Sequence, residues 1–266
     1  MTDVYEISEN KYPLIALRGY WPMPTTFLSF DAKRSISVNA VEDARLRNTN
    51  LFLVNQNDVF DDNPKKEGLY EFGIVASIKD TFELPNGVTR VFVDPKGVAR
   101  LDDLEVSEGF LKATVSEYHY REEEEKDKEN LLSLKKILID DFKEYISLDN
   151  NALDEIAYSL IEIDNFHRLV DVITFHLELA PKEYYQILET IDTEKRMLAL
   201  HEIITKEISL KKLSKEIEKQ VQDNINKSQK DYYLREKMEV LKKEINENNG
   251  EAKSELCENL EAPGEC

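Results

Sequence analysis

The chain has 266 residues, a formal net charge of −19, 41% hydrophobic and 33% charged residues. That is enough apolar material for one large domain or two modest ones. Such an acidic excess counts against a nucleic-acid ligand, which needs clustered Lys and Arg to release counterions, and against an anionic membrane surface. Its apolar runs fall far short of the ~20 residues that span a bilayer, and residues 1–13 are acidic, without the apolar stretch of a secretory signal. Cys257 and Cys266 both lie near the C-terminus and staple no core. These features predict a soluble, cytoplasmic protein.

Glycine and proline concentrate before residue 120, and Glu, Lys, Leu and Ile after it. The first part therefore reads as strands and turns, the second as helices. Pro13–Leu17 and Thr26–Phe30 are short apolar runs suited to strands. Ser35 opens a helix running toward Arg47, and Leu51–Val54 is a further core strand. Phe72–Ile78 and Phe82–Leu84, then Pro85-Asn86-Gly87, then Val88–Val93, predict a β-hairpin. Proline presets the first turn dihedral and glycine supplies a positive φ. Val98–Val106 and Phe110–Tyr118 complete about seven strands, which a small closed or half-closed antiparallel barrel would relieve of exposed edges.

Arg121–Lys128 is a charge run leading into a helix whose apolar face carries Leu131, Leu134, Ile137, Leu138, Phe142, Tyr145 and Ile146. Leu153–Ile163, Asn165–Leu179 and Pro181–Thr190 read as three further helices, with Asp164 as an N-cap and Pro181 in a first turn. From Thr193 to about Asn248 neither proline nor glycine intervenes. At ~1.5 Å per residue that is a helix roughly 80 Å long. Leu213, Ile217, Val221 and Ile225 recur every fourth residue, and Leu234, Met238, Leu241 and Ile245 follow the 4-3-4 spacing of a coiled-coil stripe. So sparse a stripe needs a partner, from the same chain or another. The expected divisions are a β-rich domain at 1–120, a helical bundle at 121–192, a helical arm at 193–249 and a disordered tail at 250–266.

No catalytic constellation stands out. No two glycines lie two residues apart, so a G-x-G-x-x-G is absent. Gly68 and Gly73 have P-loop spacing, but Ile74-Val75 follow where Lys and Ser/Thr must stand. His167 and His176 are too far apart along one helix to share a metal, and the two cysteines have no histidine nearby. What remains is apolar surface at turns. Trp21 and Met23 sit in a proline-framed loop, Phe27 follows it, and Phe82 and Leu84 flank the hairpin turn. Each reads either as strand-end packing or as an exposed patch that catches apolar segments of other proteins. Tyr232 and Tyr233 on the arm offer a second apolar cluster, for arm packing or for substrate contact.

Several segments resemble, in order, the N-terminal region of Lon, the ATP-dependent AAA+ serine protease. Pro13-Leu14-Ile15-Ala16-Leu17-Arg18 is similar to the family's P-L-x-x-L-R start, and Arg34-Ser35-Ile36 to its [KR]-S-[IL] segment. Leu53–Asp58 is similar to L-V-x-Q-[KR]-D, Leu69–Ile78 to D-L-Y-x-x-G-T-V-A-x-I, and Leu84-Pro85-Asn86-Gly87 to L-P-D-G. Gln229–Lys237 resembles Q-[KR]-x-[YF]-[YF]-L-R-E-Q. The chain departs from the family at Gly19–Pro24 and at Val93-Asp94-Pro95, and it stops before any ATPase or protease motif.

The resemblance implies an α+β fold: a PUA-like antiparallel β-barrel, an α-helical bundle and a long coiled-coil-like helix. It also implies recognition of unfolded or damaged protein clients and support of a hexameric assembly. ATP, Mg and the Ser–Lys dyad belong to absent domains, so this chain is expected to hold no cofactor or metal and to be no enzyme. The site residues expected on these grounds are Trp21, Met23, Phe27, Phe82, Leu84, Tyr232 and Tyr233 for clients, with Leu234, Met238, Leu241 and Ile245 for self-association. A purely structural oligomerisation or spacer module is the alternative.

Overall fold

A computed structural model of the chain describes residues 5–85, 87–107, 109–120, 125–148 and 154–258, with the backbone alone at 5–6, 120, 125–127, 154–155 and 244–258. Six strands come first: β1 (Tyr5–Leu17), β2 (Leu28–Ala32), β3 (Leu51–Asn55), β4 (Phe72–Glu83), β5 (Thr89–Ser107) and β6 (Phe110–Tyr120). Helix α1 (Ser35–Arg47) lies between β2 and β3. The helices α2 (Glu125–Ser147), α3 (Asp154–Ser159), α4 (Phe166–Phe175), α5 (Pro181–Glu189) and α6 (Thr193–Glu258) follow.

The sheet runs β2-β5-β4-β3-β1-β6, and β6 also pairs with β5, so five strands close into a barrel. Closure depends on the length of β5. One edge carries β4; the other takes β2 at residues 89–93 and β6 at 98–107. The two strands expected over Val88–Val93 and Val98–Val106 are thus one strand, and the count is six. A register shift between Val75 and Ala76 bends β5 at Pro95 and Lys96, where a proline without an N–H is tolerated. The barrel is antiparallel except for β1 and β3, which pair in parallel because β2 and α1 form the crossover between them.

Both faces of β3 and of residues 13–17 of β1 are buried. Ile15, Leu17, Leu51 and Leu53 join Ala40, Val41 and Ala44 of α1, while Leu14, Ala16, Phe52 and Val54 meet Val75, Leu111 and Val115. This is why the two segments read as unbroken apolar runs rather than alternating ones. The crossing is tight at Gly73, where a Cβ would stand 2.4 Å from the Leu53 carbonyl oxygen and 2.7 Å from the Phe52 ring. The hairpin turn forms as expected. Leu84 N–H donates to the Val88 carbonyl and Gly87 takes φ +75°; Asn86 lies outside the described residues.

The helical bundle packs directly on the barrel. Leu131, Leu138, Phe142, Tyr145 and Ile146 of α2 share one apolar cluster with α4, α5 and the first turns of α6, and with Met23, Ile74, Val98 and Tyr118. Ile137 is exposed instead, and Ile139 takes the buried place. Asn165, rather than Asp164, caps α4 by accepting from the Arg168 N–H. Pro181 stands in the first turn of α5 as expected.

A buried ion pair fixes the start of α6. Arg196 Nη2 donates to Asp171 Oδ1 at 2.5 Å and Arg196 Nε to the Ile187 carbonyl, while Thr25 Oγ1 donates to Asp171 Oδ2 at 2.9 Å. Beside it His167 Nε2 meets the Thr193 hydroxyl at 2.9 Å. Burial, helped by the Arg196 charge, lowers this histidine's pKa to about 3, so the ring is neutral. Residues 1–208 form one compact unit and 209–266 a second. The composition change near residue 120 therefore marks a change of secondary structure inside a shared core. Helix α6 also continues through Gly250 to Glu258, where a disordered tail was expected; 259–266 lie outside the described residues.

Candidate functional site

The residues proposed from the turns separate into two groups. Met23 is 0% exposed and belongs to the apolar cluster beneath the bundle. Trp21 is half-buried against Tyr70, Tyr184 and Tyr185, with ring centroids at 6.1, 5.3 and 5.9 Å. Tyr184 donates its hydroxyl to the Pro22 carbonyl, so the proline-framed loop is pinned to α5. The expectation of an exposed Trp21/Met23 patch is corrected: the helices cover these side chains, which join barrel to bundle.

Phe27 and Phe82 stay outside, at 80% and 53% exposure, and Phe92 joins them at 40%. Strand geometry brings the last two together. The register of β4 on β5 sets Asp80 opposite Phe92 and Phe82 opposite Arg90, so both phenyl rings emerge on the outer face. They meet edge to face at 5.7 Å and 86°. With Tyr20 and Phe27 they line an open groove of about 520 Å³, floored by Leu28 and Val93 and edged by Lys79 and Asp80. Leu84 is half-buried and stands outside its lining.

Phe92 was not among the expected residues. The alternation Val91-Phe92-Val93, with both valines buried, is the signal that points it outward. Next to the groove Arg90 binds Asp31 through Nε at 2.8 Å and Nη2 at 3.1 Å, and that hydrogen-bonded guanidinium holds the Asp31 carboxyl below its usual range. The groove thus combines aromatic walls with charges only at its edge, the composition of a surface suited to apolar side chains of varied sequence.

The profile of the ATP-dependent protease La (LON) substrate-binding domain matches residues 11–206, which hold the whole groove. The chain belongs to the Lon substrate-binding domain family. It is 32% identical over 248 residues to the Lon protease of Finegoldia magna, covering 93% of this chain and 32% of that protein. With the Lon protease of Syntrophomonas wolfei the identity is 34% over 238 residues, 90% of this chain and 29% of the relative. The chain thus spans about a third of the length of the Lon proteases it matches. Among solved structures, the N-terminal domain of Mycobacterium avium complex Lon protease shares the fold with a TM-score of 0.58 at 18% identity, covering 74% of this chain and 98% of that one.

The second unit of this Lon-family chain is the rest of α6. From Lys212 to Lys243 every side chain is exposed, including Tyr232, Tyr233, Leu234, Met238 and Leu241. Lys237 Nζ lies 5.8 Å from the centre of the Tyr233 ring, within cation–π range. The Ile245 side chain lies outside the described residues. Among the described residues no group of three or more His, Cys, Asp or Glu is placed to hold a metal, and no helix is long and apolar enough to cross a membrane.

Proposed function

We propose that this chain captures unfolded or damaged protein segments for a Lon-type protease, and that the groove of Phe27, Phe82 and Phe92 is where it holds them. The observation that carries the reading is three phenyl rings kept in water around one groove, inside the segment matched by a substrate-binding family. Fully burying an exposed phenylalanine gains about 1.5–3 kcal/mol; Phe27 forgoes most of that and the half-covered Phe82 and Phe92 a part of it, an expense that a binding role accounts for. Capture is non-catalytic and needs no cofactor in this chain. A cytoplasmic setting suits the acidic surface.

The test is fluorescence anisotropy of a labelled, permanently unfolded protein titrated with the chain. Phe27→Ser/Phe82→Ser is expected to weaken binding by about tenfold or more, since a few aromatic anchors carry most of a contact's free energy. Unchanged affinity would remove the groove from the proposal.

A second reading concerns assembly and rests on the exposed stripe of α6. Leu234, Met238 and Leu241 keep coiled-coil spacing along a surface that is 47–57% exposed, and pairing with neighbouring subunits would cover it. Met238→Lys/Leu241→Lys is then expected to lower the mass measured by sedimentation equilibrium. If the chain sediments as a monomer before and after the change, the arm does not assemble it.

A further inference from the structure

A cavity of about 640 Å³ adjoins the aromatic groove and shares Tyr20 and Ser29 with it. It is walled by residues 15–18 at the end of β1, 29–32 of β2 and the start of α1, with Arg90 reaching in from β5. Two strand edges flank it. Among the described residues β2 ends the strand order and pairs only with β5, and the pairing of β1 with β6 stops at Leu14. The Ala16 carbonyl on that open stretch is met by a side chain, Arg34 Nη2 at 2.6 Å.

The cavity is cationic in a chain that is strongly acidic. Arg18, Lys33, Arg34 and Arg90 line it, against the single carboxylate of Asp31. Arg90 is neutralised by Asp31, and Arg18 by Asp62 at 2.8 Å. Among the described residues Arg34 meets no carboxylate within salt-bridge distance: besides Ala16, it donates to Gln56 Oε1 and the Asp62 carbonyl. Burial and the like charge of Arg18 lower its pKa, while Asp61 and Asp62 oppose that. Lys33 is exposed at the mouth.

Two features of α1 add to the positive potential and to the polar lining. Its first turn carries no acidic residue and its N-cap makes no side-chain hydrogen bond, so no side chain of that turn offsets the helix dipole. Ser37, on the first turn, lines the cavity and is only 6% exposed, yet its hydroxyl has no hydrogen-bond partner among the described residues. A ligand acceptor or donor in the cavity would give it one.

We propose that the cavity takes the free C-terminal carboxylate of a client, whose last residues run along the open edge of β2 and set their apolar side chains in the groove. This rests on the reading of the groove as the client site and deepens it: the preferred client is an apolar chain end. Internal apolar segments bring no such anion to the cations and to Ser37. An open strand edge binds main chain whatever its sequence, which suits clients defined by being unfolded.

The experiment compares two labelled peptides of one apolar sequence, one ending in a free carboxylate and one in an amide, titrated with the chain by anisotropy. The amide is expected to bind about tenfold more weakly, as for loss of one charge-assisted hydrogen bond in a partly dry site. Lys33→Gln and Ser37→Ala, at positions outside the strands and without a salt bridge within 4.0 Å among the described residues, are expected to weaken the acid toward the amide and leave the amide unchanged. Phe82→Ser is expected to weaken both. Equal binding of acid and amide overturns the carboxylate site while leaving the groove standing. If neither peptide binds, both readings fall. Displacement of the acid peptide by inorganic phosphate, beyond that by chloride at equal ionic strength, would make this a phosphate site and overturn the assignment.

Discussion

Asp171→Ala is expected to lower the stability of the 1–208 unit by about 3–5 kcal/mol, because removing one partner leaves a buried guanidinium without its counter-charge. Arg196 is among the largest fully buried side chains, and Asp171 is as deeply enclosed. Burial pushes the Asp171 pKa up, while Arg196 and the Thr25 hydroxyl oppose that by favouring the carboxylate. The substitution also takes the acceptor from Thr25, the link from the loop before β2 to α4. Urea unfolding followed by far-UV circular dichroism measures the loss. Asp171→Leu/Arg196→Met should recover most of it, since apolar replacement of a whole buried pair is often neutral or better. A single variant as stable as the parent would mean that water reaches Arg196.

That pair also shows where reading the sequence stops. Asp171 and Arg196 lie 25 residues apart on different helices, and nothing in either local pattern distinguishes them from other charges in a strongly charged chain. Local signals carried far elsewhere. The turn at Pro85–Gly87, the helix from Ser35 and the runs Leu14–Leu17 and Leu51–Val54 were legible because turn chemistry and burial leave short-range marks. The union of two expected strands into β5 was not, because it depends on which neighbours pair along each edge of one strand.

The groove was half legible for the same reason. Phe27 and Phe82 announce themselves as large apolar residues beside turns. Phe92 faces outward only by alternation, and its approach to Phe82 depends on a register that skips a residue between Ile78 and Asp80. The cationic cavity depends on tertiary structure: the fold brings Arg18 after β1, Arg34 before α1 and Arg90 of β5 together.

Trp21 and Met23 show the converse error, and its correction makes a sharp contrast. Apolar residues in a proline-framed loop look the same in sequence whether a partner protein or the chain's own helices cover them. Met23→Ala is expected to cost about 2–5 kcal/mol of stability, the range for truncating a fully enclosed large side chain that leaves a cavity. Client affinity, measured well below the lowered melting temperature, should stay at the parent value. Phe27→Ala should do the opposite: a melting temperature close to the parent's, because at 80% exposure little packing is lost, and weaker client binding. Paired thermal melts and anisotropy titrations on the two variants separate the roles. If Met23→Ala weakened capture at full stability, the loop would open in solution and expose Met23 to clients, and the boundary between core and binding surface would have to be redrawn through Trp21. The pinning of this loop by Tyr184 to Pro22 and by Thr25 to Asp171 argues against that opening.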